Sequence, residues 1–362
     1  MQHLILNNFR NYAYYKINIS NTVYILTGAN GQGKTNILEA ISLFSGTRGL
    51  LHSRSDEMVN SFTDKNFWSV SLLLDNIDFT ISFKENRKIY KVSEKNAPNL
   101  SEFSKIFYIL WMTYETDRLF VESPANRRNF IDMFALSKFP NHQKNLKTYE
   151  KLSRERIKIL KQCSGTASNQ AHSKWLDILE NQISSVGIEI AKARISISKS
   201  IENGQNYSNI DFPKYHNRII GKLETDNMDL EKYKIELRNR RQKDFFTNST
   251  TYGPNKSDWE VIHIGKNIKA NMCSAGEQKI LLLGIFLNFL WENISNDSRN
   301  LILLLDDIIV HLDASHSQIL FRYIKDMLKF FEKNGRKIMV WLTGTNKTFF
   351  NELSDVANFI EL

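Results

Sequence analysis

The chain has 362 residues, 42% of them hydrophobic and 24% charged, the composition of a folded protein long enough for two domains or for one domain carrying an insertion. Its net charge of +9 favours anionic partners, and two cysteines with no CxxC spacing exclude a disulfide framework and a thiolate zinc site. The longest apolar segment, Ile280 to Trp291, contains Asn288 and is too short to span a bilayer, and the opening MQHLILNNFRNYAYY lacks the pattern of a signal peptide, so a soluble, cytoplasmic protein with no membrane partner is expected.

Residues 1–26 are predicted to form two strands around a polar turn, HLILNNF and TVYILTG. After a glycine-rich turn, TNILEAISLF places Leu38, Ile41 and Phe44 at helical spacing, with Gly46 as a stop. FWSVSLLLDNIDFTISF alternates and predicts a hairpin turning at Asp75-Asn76; YKVSEKNAPNL is expected to be a loop and KIFYILWM a buried strand. The texture changes near Pro124. Charge becomes dense, and Trp175, Ile178, Ile183, Val186, Ile190, Ala193, Ile197 and Ile201 recur at the steps of one amphipathic helix. ALSKFPNHQKNLKTYEKLSRERIKILKQ predicts a second long helix, antiparallel to it across CSGTASNQAHS, and DNMDLEKYKIELRNRRQKDFF predicts a third. The α/β texture returns at Thr250 with strand-like VIHIGKNIKA, the turn CSAGEQK and a long apolar helix. The buried strand NLILLLDD, the helix SHSQILFRYIKDMLKFFEK and the strand KIMVWLTG follow.

Gly28-Ala29-Asn30-Gly31-Gln32-Gly33-Lys34-Thr35 fits G-x-x-x-x-G-K-[ST] in full, between a predicted strand and a predicted helix. Glycines let backbone N–H groups curl around a phosphate, and the helix N-terminus adds a positive dipole. Lys34 is expected to reach the β- and γ-phosphates of ATP, and Thr35 to hold Mg²⁺ through its hydroxyl. LILLLDD supplies the second half: Asp306 for the Mg²⁺ shell and Asp307 to orient or deprotonate the attacking water. Lys34 and Asp307 are thus the expected catalytic pair, and Thr35 and Asp306 the expected metal ligands. More than half the chain separates Lys34 from Asp306, unlike small GTPases and nucleotide kinases.

Alone, Ser274 followed by Glu277 is an ordinary helix capping box. Before LLLDD, however, Ser-x-Gly-Glu marks the ABC-type ATPases. In that class the turn serves the nucleotide of a second copy, so Ser274, Gly276 and Glu277 join the P-loop as nucleotide-binding candidates. The expected fold class is α/β, an ABC-type P-loop ATPase head built from both ends of the chain (1–120 and 246–362) with a mostly helical lobe inserted at 121–245. Asp313 is the candidate for pairing such heads, with His311 a solvated or interface histidine, and Thr345 is a candidate γ-phosphate sensor.

With these motifs, the chain resembles the bacterial RecF family of recombination-repair proteins. LNNFRNY resembles that family's opening strand and turn, and Arg48-Gly49-Leu50 an element after its first helix. ILWMTYETDRLFVESPANRRNFIDMF resembles its most specific segment, with Trp111, Asp117, Pro124, Arg127, Arg128 and Asp132 in register. The chain departs where the family usually reads Gly-Pro-His-Arg-Asp-Asp and this sequence has Gly253-Pro254-Asn255-Lys256-Ser257-Asp258. It also departs at His311 and at Glu277-Gln278. The resemblance implies a slow, switch-like ATPase that dimerises on gapped or junction DNA with ATP and Mg²⁺, acting with RecR and RecO to help RecA displace single-strand-binding protein. Contacts to DNA would be to phosphates, through Lys and Arg; Arg127-Arg128 is either such a contact or a structural pair. The basic residues Lys144, Lys147, Lys151, Arg154, Arg156 and Lys158 are interleaved with Glu150 and Glu155, the pattern of a solvated helix face. An SMC-like structural ATPase would need long coiled coils, whereas helices of about forty residues reach only about 60 Å. A transporter's nucleotide-binding subunit would carry its helical subdomain directly before the signature, where this chain has VIHIGKNIKA.

Overall fold

The computed structural model describes residues 2–163, 170–205, 212–221, 229–309 and 312–362. The chain opens with β1 (Gln2–Phe9), β2 (Tyr12–Ile19), β3 (Val23–Thr27), α1 (Lys34–Ser42), β4 (Phe67–Leu74), β5 (Ile77–Lys84), β6 (Arg87–Val92), β7 (Lys95–Ala97), α2 (Ser101–Ile106) and β8 (Phe107–Thr113). There follow α3 (Pro124–Lys138), α4 (His142–Gln162), α5 (Gln170–Gly204), β9 (Tyr215–Ile220), α6 (Leu230–Asn239), α7 (Arg241–Thr247), β10 (Asp258–His263), β11 (Ile268–Lys269) and α8 (Ala275–Asn296). The last elements are β12 (Asn300–Asp306), α9 (Ala314–Lys333), β13 (Ile338–Gly344) and β14 (Ala357–Glu361). Two compact units result, Met1–Thr116 with Ser298–Leu362, and Asp117–Asp297.

In the first unit a parallel sheet runs in the order β14-β3-β13-β12-β8. Its central strands are buried on both faces, which is why VYILT, LILLLD and IMVWLTG read as unbroken apolar runs. An antiparallel sheet runs β2-β1-β4-β5-β6-β7, and its strands alternate buried and part-exposed residues. Phe44, Phe79, Phe103 and Phe107 form an aromatic cluster with ring centroids 5.1–5.5 Å apart. The hairpin at Asp75-Asn76 is as expected, with φ of 52° and 62°, the left-handed pair of a type I′ turn. The same turn recurs at Glu85-Asn86 and Ser93-Glu94. Residues 90–100, expected as a loop, therefore hold the end of β6 and all of β7, and the absence of a glycine at these turns concealed both strands. Residues 2–27 likewise make three strands rather than two, because the chain reverses at Arg10-Asn11 without glycine or proline.

The second unit is mostly helical around α4 and α5, with the three-stranded sheet β11-β10-β9. The helix expected across Pro140 is two: Phe139 is extended before the proline, α3 stops at Lys138, and α4 starts at His142. Along α5, Ile183, Ile197 and Ile201 are fully buried, but Trp175 and Ile178, expected on the same face, are 62% and 61% exposed. The loop between the two helices lies largely outside the described residues. Arg156, expected on a solvated face, is instead fully buried: it donates to Glu180 (2.9 Å), Asp244 (2.7 Å) and the Leu237 carbonyl (2.7 Å). The unit runs to Asp297, whereas the inserted lobe was expected to end at 245. The reason is pairing: β10 hydrogen-bonds along β9, and α8 packs on α5, where a Cβ at Gly204 would strike the Asn288 backbone.

Candidate nucleotide-binding site

The glycine turn lies at the C-terminal end of β3, where open parallel sheets place their ligands. Gly28, Gly31 and Gly33 take φ of 146°, 85° and 104°, conformations in which a side chain is strained. At Gly33 a Cβ would also lie 2.5 Å from Asn11 Nδ2 and 2.6 Å from the Tyr12 hydroxyl. That crowding shows what the opening FRNY segment does. Asn11 Nδ2 donates to the Gln32 carbonyl (3.1 Å) and Asn36 Nδ2 to Asn11 Oδ1 (2.8 Å), so the first hairpin braces the loop. Arg10 reaches Glu39 of α1 through two bonds of 2.7 and 2.8 Å, and Glu39 is fully buried. The family resemblance flagged this segment, but its bracing role had no signature of its own.

Lys34 is 5% exposed, and its Nζ donates to the Gly28 and Ala29 carbonyls at 2.8 and 2.9 Å. Thr35 Oγ1 donates to the Asp306 carboxylate, 3.0 Å from Oδ2 and 3.1 Å from Oδ1. Two halves 271 residues apart in sequence are thus brought together. Asp306 is 1% exposed at the end of β12; burial, augmented by the Asp307 carboxylate and opposed by a Thr343 hydrogen bond, pushes it up to about 6. Asp307 takes φ of 52°, turning its carboxylate into a cavity of about 330 Å³ shared with Asn30, Gly31, Gly33, Lys34, Thr35, Asn36 and Tyr114. A larger cavity of about 690 Å³ opens at the opposite, N-terminal ends of the parallel strands, around Thr22, Phe107 and Ile338, away from these groups.

Thr343, not Thr345, meets the aspartates. Its hydroxyl lies 2.9 Å from Asp306 Oδ1 and 3.2 Å from Asp307 Oδ1 and accepts the Asp307 N–H at 2.7 Å; Thr345 is exposed. A hydroxyl and two carboxylates converging beside a lysine form an all-oxygen donor set suited to a hard divalent cation, and burial beside the Asp307 carboxylate raises Asp306 despite its bonds from Thr35 and Thr343 and the nearby Lys34. The residues fit Mg²⁺.

Ser274, Gly276 and Glu277 belong to the other compact unit. Ser274 caps α8 in a complete capping box: the Glu277 N–H donates to its Oγ (3.4 Å) and its own N–H to Glu277 Oε2 (3.0 Å). Lys266 also binds Glu277, and that hydrogen bond, followed by those from Ser274, holds the Glu277 carboxyl at about 2. Gly276 has ordinary helical backbone, and a Cβ there would touch nothing within 4 Å. Asp313 caps α9 through the His316 N–H (2.9 Å), and His311 lies outside the described residues. Arg127 and Arg128 are structural. Arg127 holds Asp258 at 2.7 and 2.9 Å and the Glu122 carbonyl at 2.6 Å, while Arg128 donates to the Ser257 carbonyl at 2.7 Å. The divergent Asn255-Lys256-Ser257 segment is anchored as well. Asn255 accepts from Tyr149 (3.0 Å) and the Ser257 hydroxyl from Arg194 (3.0 Å), whose bond pair to Asp132 overcomes burial to hold that carboxyl at about 2.

A family model described as an AAA ATPase domain matches residues 1–340. A protein of Rickettsia typhi named DNA replication and repair protein RecF is 33% identical over 370 residues, covering 99% of this chain and 98% of the relative. The protein of the same name from Rickettsia prowazekii is 33% identical over 368 residues with the same coverage. Among solved structures, one described as the recombination mediator protein RecF-ATPrS in the RecFOR pathway matches with a TM-score of 0.80 at 23% identity, covering 99% of this chain and 95% of the other. A RecF-ATP structure from the same pathway matches at 0.77 and 23%, covering 96% and 92%. With its P-loop, its aspartate pair and near-complete coverage of these relatives, the chain belongs to the RecF family of DNA replication and repair proteins.

Proposed function

We propose that the chain is an ATP-dependent DNA-binding protein of recombinational repair, acting in the cytoplasm as a switch. Two copies close head-to-tail across ATP on gapped or single-strand/double-strand junction DNA. The observation that carries this reading is the division of labour between the units. The P-loop, Asp306 and Asp307 lie in one, while the other presents a capped helix N-terminus whose Gly276 meets open space. Glycine in a helix costs up to about 1 kcal/mol against alanine, and nothing inside the molecule requires it here. An approaching phosphate does.

Lys34 leaves the Gly28 and Ala29 carbonyls for the β- and γ-phosphates, while backbone N–H groups of residues 29–35 surround them. Thr35 and Asp306 would hold Mg²⁺, which would supply charge neutralisation to the phosphates. Asp307 orients and deprotonates water, and Thr343 fixes both aspartates. Asp307 is one methylene shorter than the glutamate usual in ABC ATPases, consistent with slow turnover. Ser274 and the Gly276 N–H serve the γ-phosphate of the second copy, so hydrolysis dissolves the bridge. The pathway named for the similar structures supports RecO and RecR as partners; help in loading RecA is the outcome proposed with them.

The test is binding to gapped DNA with and without ATP–Mg²⁺, for wild type and Lys34→Ala. ATP tightens binding for wild type and has no effect on Lys34→Ala; equal binding under all four conditions refutes the switch.

A further inference from the structure

The antiparallel sheet of the first unit has one face turned to the core and one turned outward, and the outward face is not an ordinary solvated surface. Strand register places its side chains in lateral rows. One row runs Lys16, Ile5, Ser71, Thr80, Lys91, Asn96 across β2-β1-β4-β5-β6-β7. The next runs Tyr14, Asn7, Ser69, Ser82, Ile89. Neither row holds a carboxylate. The centre holds the small hydroxyls of Ser69, Ser71, Thr80 and Ser82, the Asn7 amide and one half-buried aliphatic side chain, Ile5, with Ser71 and Thr80 hydrogen-bonded to each other at 2.7 Å. Cations flank it: Lys16 on β2, and Arg87 and Lys91 on β6, all exposed and without an ion pair among the described residues. Lys84, paired with Arg87 across the strands, has only the exposed Glu85 beside it at 3.8 Å. Within the described strands, Asp78 also points to this side, one row away, where it accepts from Thr80 (3.3 Å).

We propose that this face is a docking surface for the sugar-phosphate backbones of duplex DNA, a reading that rests on the DNA-binding function proposed above and gives it a location. Four inter-strand gaps of about 4.8 Å separate β2 from β6, so the flanking cations stand ~19 Å apart. That span lets them reach both backbones across a major groove roughly 12 Å wide, and the small side chains between them leave room for the backbones to approach. A protein partner would call for an apolar centre, and a lipid surface for several projecting apolar side chains; Tyr14 and Ile89 are the large apolar residues most exposed here, at 63% and 39%. A pleated sheet hydrogen-bonded along its length also holds these groups at fixed spacing, so binding costs little ordering entropy. Base edges are not addressed, and recognition is independent of sequence.

The experiment is a salt titration of binding to a duplex with a single-strand gap, using the full chain with ATP–Mg²⁺. It compares wild type, Lys16→Glu/Lys91→Glu, and the control Lys144→Glu/Lys147→Glu, which makes the same charge change on exposed positions of α4. Each lost phosphate contact lowers the slope of log K against log[salt] by about 0.9, so the sheet variant loses about two units of slope and at least tenfold in affinity at moderate salt. The control keeps the wild-type slope, and all three proteins bind a fluorescent ATP analogue equally and melt at the same temperature. If wild type binds DNA and the sheet variant binds with the same slope, this location is wrong while the function stands. Equal losses in both variants make net charge, not the face, responsible and also overturn it. Wild type that binds no DNA but binds vesicles of anionic lipid overturns both this inference and the function beneath it.

Discussion

Asp306 is the residue on which the nucleotide site turns. Its folded-state pKa is raised from 3.8 to about 6, so its neutral form is the one that the fold favours. The stability it contributes is present in full below pH about 4 and is lost as pH rises through about 6. Two expectations follow at neutral pH and above. Asp306→Asn raises the thermal midpoint of the nucleotide-free protein at pH 8, read by calorimetry, while abolishing the Mg²⁺ dependence of ATP binding. Conversely, Mg²⁺–ATP affinity of wild type falls as pH is lowered through 6, because the cation needs the carboxylate that protons then occupy; a flat affinity from pH 8 to 5 would contradict this. Asp306 and Asp307 were legible because an apolar strand ending in two aspartates complements a P-loop. Thr343 was not, since a threonine near the end of KIMVWLTG differs little from any strand terminus. Only the lateral order of β13 beside β12 brings its hydroxyl to both carboxylates.

At the scale of elements, sequence served best where one rule decides the outcome. The P-loop turn, the I′ turn at Asp75-Asn76 and the Ser274 capping box each follow from local chemistry, and all three are present. It served worst where a turn used residues without a strong preference, as at Glu85-Asn86 and Ser93-Glu94, so the strands that carry Arg87 and Lys91 went unseen. Arg156 misled for another reason. Its neighbours on α4 are solvated, and only tertiary packing of α5 and α7 makes it the centre of a buried network. Arg156→Met leaves Glu180 and Asp244 buried with less compensation and is expected to cost about 3–5 kcal/mol in urea unfolding. Gly276→Ala makes the opposite kind of prediction. It should leave stability unchanged or raise it by up to about 1 kcal/mol, because the added methyl meets nothing and favours the helix, yet weaken ATP-driven dimerisation in sedimentation. A loss of stability there would mean that the glycine serves the fold.

For the whole molecule, a 271-residue separation between Thr35 and Asp306 was the informative quantity. It implied a head closed by both ends of the chain, and β3, β12 and β13 do meet in one parallel sheet from opposite termini. The extent of the second unit was less legible, because β9, which recruits β10, was not singled out in the sequence. The central claim is that Ser274 and Gly276 await a phosphate carried by a second copy. Its most direct test is sedimentation velocity of wild type and Ser274→Arg with and without ATP–Mg²⁺, alongside binding of a fluorescent ATP analogue. The account predicts that both proteins bind the analogue equally and that only wild type shifts to a dimer with ATP; a Ser274→Arg protein that dimerises with ATP as wild type does would contradict it.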